Sequence, residues 1–213
     1  VLVDGYNLTG KQLYIDSAED LIKKCIHPYD NVSTRRLDDV NFRWPYTIFL
    51  QSLGKYLHLK LERNDFDYMF HFAKESLIHY AKWMLEHERP FLTRKESLDF
   101  PNYATRAATD IRKANVFFTA SSYAESPQKD KFLQKAHYFF DTSIRDLLSL
   151  ETNALTRPLA ILLQNINIPF SFHIEHHQCG SPKKHSYVFG RPRSERPFKS
   201  LLEDSIQLAR NCT

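Results

Sequence analysis

The stretch from Asp99 to Ala124, DFPNYATRAATDIRKANVFFTASSYA, constrains the fold more than any other part of the chain. After Pro101, small and apolar residues recur at helical spacing: Ala104, Ala107, Ala108, Ile111, Ala114 and Phe118. Side chains this small let neighbouring helices approach closely, so the segment is expected at the centre of the fold. It also carries Tyr103, Thr105, Arg106, Asp110, Arg112 and Asn115, groups that a buried helix does not need. A close-packed helix with a polar first turn reads as a central element with one working end.

Amphipathic stripes on either side give further helices. One runs from Lys11 to about Ile26 and stops at His27-Pro28. Pro45 suits the first turn of another, reaching about Glu62, and a third spans about Phe66 to Glu88. After Asn102 to Ala124, Ser126 can cap and Pro127 can open a helix to about Leu150. Thr156-Arg157-Pro158 opens the last of the series, through about Asn165. Residues 1–10 read as an arm or the end of a preceding element. Long helices, short links and a two-helix repeat predict an all-α, antiparallel helical-hairpin array. Residues 1–168 form this domain, and 169–213 a C-terminal extension. There, PFSFHIEHH (169–177) alternates as a short extended segment, and a closing helix covers about Phe198 to Asn211.

Composition removes several function classes. A chain of 213 residues, 42% hydrophobic, can bury one substantial core. Only 5 glycines occur, and neither GxGxxG nor GxxxxGK[ST] is present, which argues against a phosphate-cradling loop. The net charge of +4 comes from bases interleaved with acids, not from a basic stripe, so no nucleic-acid partner is expected. No apolar run approaches the roughly 18 residues that span a bilayer, so no membrane partner is expected. Cys25, Cys179 and Cys212 are odd in number and widely spaced, which favours a reducing, cytoplasmic setting over a disulfide framework. The chain opens without Met, as a segment of a longer polypeptide would.

Four strings, DLIKKCIHPYDN, RWPYTIFLQSLGKYLHLK, LIHYAKWMLEHERPFL and DFPNYATRAATDIRKANV, together resemble a poorly characterised bacterial family of helical proteins. That family is similar to the α/α-toroid, or six-hairpin glycosidase-like, superfamily. The likeness covers about residues 11–165. It implies a partial or variant α/α toroid and a carbohydrate-related role. The turn after Pro101 departs from the Glu-Thr-Trp triplet expected there, reading Asn102-Tyr103-Ala104-Thr105-Arg106.

In such an array alternate helices point the same way, so three entry turns would gather at one end. They hold Arg43, Trp44 and Tyr46; Tyr103 and Arg106; and Arg157. Helix N-termini carry partial positive charge, arginine offers planar paired donors, and aromatic rings offer flat faces for a sugar. The combination suits an anionic glycan, a sugar phosphate or a sugar nucleotide. For each residue the alternative is structural: prolines cap helices, and the arginines pair with Asp38, Asp39 or Asp99 at the surface. Glycoside chemistry would need two carboxyl groups, for which Asp99 and Asp110 are the candidates, although Asp110 is also explained by helical pairing with Arg106 and Lys113. Whether the chain is an enzyme stays open, and no cofactor is expected. No metal is expected either. A zinc ion, if held, would fall to His173, His177 and Cys179, which match no HExxH or CxxC signature. The alternative function is a helical scaffold that assembles as a homo-oligomer or with the rest of a longer polypeptide.

Overall fold

A computed structural model describes residues 1–100, 102–151, 155–166 and 187–192. The described residues are all-α, with no strand among them. Seven α-helices follow in order: α1 (Leu2–Thr9), α2 (Leu13–Cys25), α3 (Tyr46–Glu62), α4 (Tyr68–His87), α5 (Tyr103–Tyr123), α6 (Gln128–Leu148) and α7 (Thr156–Asn165). Short 3-10 turns occupy Val32–Arg35 and Phe91–Ser97. The expected segment 169–177, the closing helix and the metal candidates His173, His177 and Cys179 lie outside the described residues.

Helix boundaries follow the sequence signals, with two departures. Residues 1–10, read as an arm, contain α1, which ends at Gly10 in the left-handed conformation (φ 67°). Eight residues with none buried leave too little periodicity to recognise. Ser126 does not cap α6; Pro127 takes the cap position, and no side chain bonds to the first turn.

The chain divides into two compact units, each built from separated stretches. The first comprises Val1–Asp30, Lys55–Ser76 and Lys184–Thr213. Ile15, Ala18, Ile22, Leu57, Phe70 and Ala73 are buried within it. Lys60, 2% exposed, is held there by three carboxylates: Asp65 at 2.7 Å, Asp67 at 2.7 Å and Glu19 at 3.3 Å. The tight link between α3 and α4 makes this cage. Asn64 turns the chain with φ 53°, and Asp67 accepts the Phe70 N–H with its second oxygen, capping α4. Residues 187–189 return to an aromatic face of the same unit. His27 Nδ1 accepts the Tyr29 N–H, so its Nε2 carries the proton and donates to the Phe189 carbonyl at 3.0 Å.

The second unit comprises Asn31–Gly54 and Leu77–Lys183, with α5 at its centre. Ala107, Ala108, Ile111, Ala114, Val116 and Phe117 are all fully buried. α6 lies antiparallel to α5: Ser143 donates to the Ala107 carbonyl at one end, while Phe117 stacks on Phe139 and meets Phe132 towards the other. Ile161 of α7 packs against Ala108 and Ile111. Gly54 of α3 lies against Thr119, where an added Cβ would meet Cγ2 at 2.8 Å. The polar Asn115 is accounted for here. Its amide donates to Asn165 Oδ1 at 3.0 Å, and Gln51 donates to the same oxygen at 2.7 Å, fastening α7 to α5 and α3.

Two stability outcomes follow. Ala108→Leu inserts three heavy atoms into a closed contact between α5 and α7, and is expected to cost about 1–3 kcal/mol in chemical denaturation. Lys60→Met removes one partner and leaves three carboxylates facing one another; the expected loss is about 3 kcal/mol or more. An unchanged denaturation midpoint in either variant would contradict the packing described.

Candidate functional site

Three helix entries in the second unit converge on one groove of about 810 Å³. The entry of α3 supplies Trp44. The start of α5 supplies Phe100, Asn102, Tyr103, Thr105, Arg106 and Thr109. The start of α7 supplies Arg157, with Leu150 and Glu151 from the segment before it. Local sequence explains each placement. Asn102 Oδ1 accepts the Thr105 N–H, which ends the loop and starts α5 with Tyr103 and Arg106 at its mouth. The asparagine clasp around Asn165 holds the far end of α7, so Arg157, two turns earlier, keeps its position at the groove.

The four sequence candidates Trp44, Tyr103, Arg106 and Arg157 therefore share one cavity. Arg43 and Tyr46 do not line it. Arg43 is exposed, and the Tyr46 hydroxyl donates to Glu88 Oε1 at 2.5 Å. Arg106 has a partner that sequence reasoning did not anticipate. Its Nη1 donates to the Val40 carbonyl at 2.9 Å, and its guanidinium lies over the Phe91 ring at 5.4 Å. Burial, and then the positive charge of Arg157, push the Arg106 pKa down, with Asp99 opposing. Arg112 is lowered by the same two causes, and its Nε is buried with no partner among the described residues. The charge of Arg157 thus bears on both Arg106 and Arg112, and Arg157 forms no ion pair with a described residue. Among the described lining residues the one carboxylate is Glu151, which sequence reasoning missed. Its signal was only its position, five residues before the Thr156-Arg157-Pro158 entry.

The two acid candidates sit elsewhere. Asp99 is exposed, and its N–H donates to Asn41 Oδ1. Asp110 is completely buried, 2.9 Å from Lys113 Nζ, and its other oxygen accepts the Phe91 N–H at 2.9 Å. Lys113 also meets Glu88 at 2.9 Å, donates to the Arg89 carbonyl at 2.7 Å and lies 3.9 Å from the centre of the Phe91 ring. The expected pairing of Asp110 with Lys113 is present; pairing with Arg106 is not among its contacts. Burial raises the Asp110 carboxyl to about 6, although Lys113 and the Phe91 N–H pull it down. Asp110 and Glu88 thus hold Lys113, and through Phe91 they form the support beneath Arg106.

Among the described residues no group of three or more His, Cys, Asp or Glu could hold a metal ion, and no helix is long and apolar enough to cross a membrane. No protein-family model, curated protein or solved structure matches the chain.

Asp110 has a pH consequence of defined sign. Its carboxyl keeps the proton in the folded chain up to about pH 6, whereas the unfolded chain loses it near 3.8. Its contribution to stability is fully present below pH 3.8 and is lost as the pH rises through about 6. Wild-type stability should therefore fall relative to Asp110→Asn as the pH rises from about 4 to 6. Parallel pH profiles for the two proteins would rule out this assignment.

Proposed function

We propose that this chain is a carbohydrate-related protein of the α/α-toroid type, a partial or variant helical-hairpin array. In this reading the groove at the entries of α3, α5 and α7 binds an anionic sugar: a uronate-bearing glycan, a sugar phosphate or a sugar nucleotide. The observation that carries the reading is the pairing of Arg106 and Arg157 in a groove whose aromatic residues are Trp44, Phe100 and Tyr103. Two guanidiniums that raise each other's electrostatic energy are relieved by an anion between them. A pyranose presents C–H faces to aromatic rings, while Asn102, Thr105 and Glu151 offer polar groups for hydroxyls. Because Glu151 is the one carboxylate among the described lining residues and Asp110 is occupied by Lys113, the groove is better equipped to bind than to hydrolyse.

The test compares glucuronate and glucose 1-phosphate with glucose in isothermal titration. The anionic sugars should bind and the neutral parent should not. Arg157 is exposed and makes no hydrogen bond or ion pair with a described residue, so Arg157→Ala should remain folded yet weaken binding about ten- to a hundred-fold, the range of one or two charge-assisted hydrogen bonds. Equal binding of glucose, or full affinity in Arg157→Ala, would refute the reading.

The scaffold alternative also has an observation in its favour. Leu155, Leu159 and Leu163 recur along one side of α7 and are 41%, 49% and 74% exposed. A leucine seam of this kind is self-complementary about a two-fold axis, which fits a second copy of the chain. A concentration-dependent dimer that Leu159→Lys dissolves would favour that reading.

A further inference from the structure

A second groove, of about 700 Å³, runs between the later turns of α4 and one face of α6. Lys82, Leu85 and Glu86 line it from α4, and Gln128, Lys131, Gln134, Lys135 and Tyr138 from α6. Positions 128, 131, 135 and 138 repeat at three- and four-residue steps, so they form one continuous stripe along α6. Opposite Leu85 of α4, this stripe is polar. It presents ammonium groups, amides and a phenol.

Three features of the groove point to an anion. Lys82, Lys131 and Lys135 face the single carboxylate of Glu86, yet none of these four side chains forms an ion pair with a described residue. Lys82 and Glu86 stand one turn apart on α4, the usual spacing for a helical pair, and leave that pair unmade. Lys135 lies over the Tyr138 and Phe139 rings, at 5.3 and 5.4 Å from their centres. Its pKa is lowered by burial first and then by Arg89, with Glu88 opposing and Lys113 adding to the lowering. Finally, the side-chain nitrogen of Gln128 is buried at the groove without an acceptor among the described residues. A buried donor that finds no acceptor is costly, and a ligand oxygen would satisfy it. Asp130, in the same first turn of α6, is not among the lining residues.

We propose that the α4–α6 groove binds a compact polyanion carrying two or more adjacent phosphate groups. Lys131 and Lys135 are about 6 Å apart along the helix axis, and Lys82 approaches from the opposite wall. Three ammonium groups supply more positive charge than one phosphate neutralises, so adjacent phosphates match them better. Gln128 donates to one phosphate oxygen. Gln134 stands beside the lysines, and Tyr138 closes the end of the stripe. The site is separate from the arginine groove and does not depend on the function assigned there.

The test is isothermal titration of the full chain with inorganic pyrophosphate, orthophosphate and ADP at matched ionic strength. Pyrophosphate should bind at least ten times more tightly than orthophosphate. ADP should bind at least as well as pyrophosphate, and a further gain would mean that Tyr138 also receives the base. In an Arg157→Ala background, which removes the contribution of the arginine groove, the double variant Lys131→Gln, Lys135→Gln should reduce pyrophosphate affinity more than ten-fold, and Gln128→Glu should do the same by placing a carboxylate at the donor position. Folding of each variant is checked by circular dichroism. The proposal is overturned if pyrophosphate gives no saturable binding in that background, if orthophosphate binds equally well, or if affinity survives the α6 variants.

Discussion

Lys113 is held inside its unit by two carboxylates, Asp110 and Glu88, with a carbonyl and the face of Phe91 completing its surroundings. The second unit depends on this arrangement. A lysine at that depth is tolerable only when its charge is matched and its donors are used. Matching it ties the end of α4, the Phe91–Ser97 turn and the middle of α5 to one another. Phe91 is fixed twice, by its N–H on Asp110 and by its ring beneath Lys113. The same ring then meets Arg106. The electrostatics of the arginine groove therefore rest on a buried cluster one helical turn further along α5.

This dependence shows how the alanine stripe and the polar residues of α5 work together. Ala107 and Ala108 bring α6 and α7 close enough for the Ser143 hydroxyl to reach the Ala107 carbonyl and for Ile161 to close over Ala108. Asn115 would be a liability in so tight a packing if its amide were idle; it is occupied by Asn165, which Gln51 also engages. The central helix thus fastens α6 and α7 by polar contacts, and α3 through Asn165, while the small side chains keep α6 and α7 near. The entry ends of α3, α5 and α7 are left free to present Trp44, Arg106 and Arg157 to one cavity.

Much of this was legible in the sequence for definite reasons. Pro45, Asn102 and Thr156-Arg157-Pro158 mark helix starts by local chemistry, so the positions of Trp44, Tyr103 and Arg157 could be read from neighbouring residues alone. The partners of those residues could not. Arg106 turns to the Val40 carbonyl, 66 positions away in sequence, and Tyr46 turns to Glu88, 42 away. Local spacing suggested helical pairing of Asp110 with Arg106 and Lys113; the Lys113 pair is present, whereas Arg106 turns elsewhere and tertiary packing adds the Phe91 N–H to Asp110. Glu151 and Gln128 matched no motif, and their significance depends on which cavity wall they reach. The short α1 escaped for a simpler reason: a helix of two turns with no buried face leaves no stripe to read.

The central claim is that the arginine groove recognises an anionic sugar. It is tested most directly by following the Trp44 indole and the Arg106 and Arg157 side-chain N–H resonances by NMR during a glucuronate titration. The account predicts saturable shifts at all three resonances with a single dissociation constant, while the Trp83 indole, outside the groove lining, stays unmoved. Shifts confined to other surfaces, or no saturable change at Trp44, Arg106 and Arg157, would contradict it.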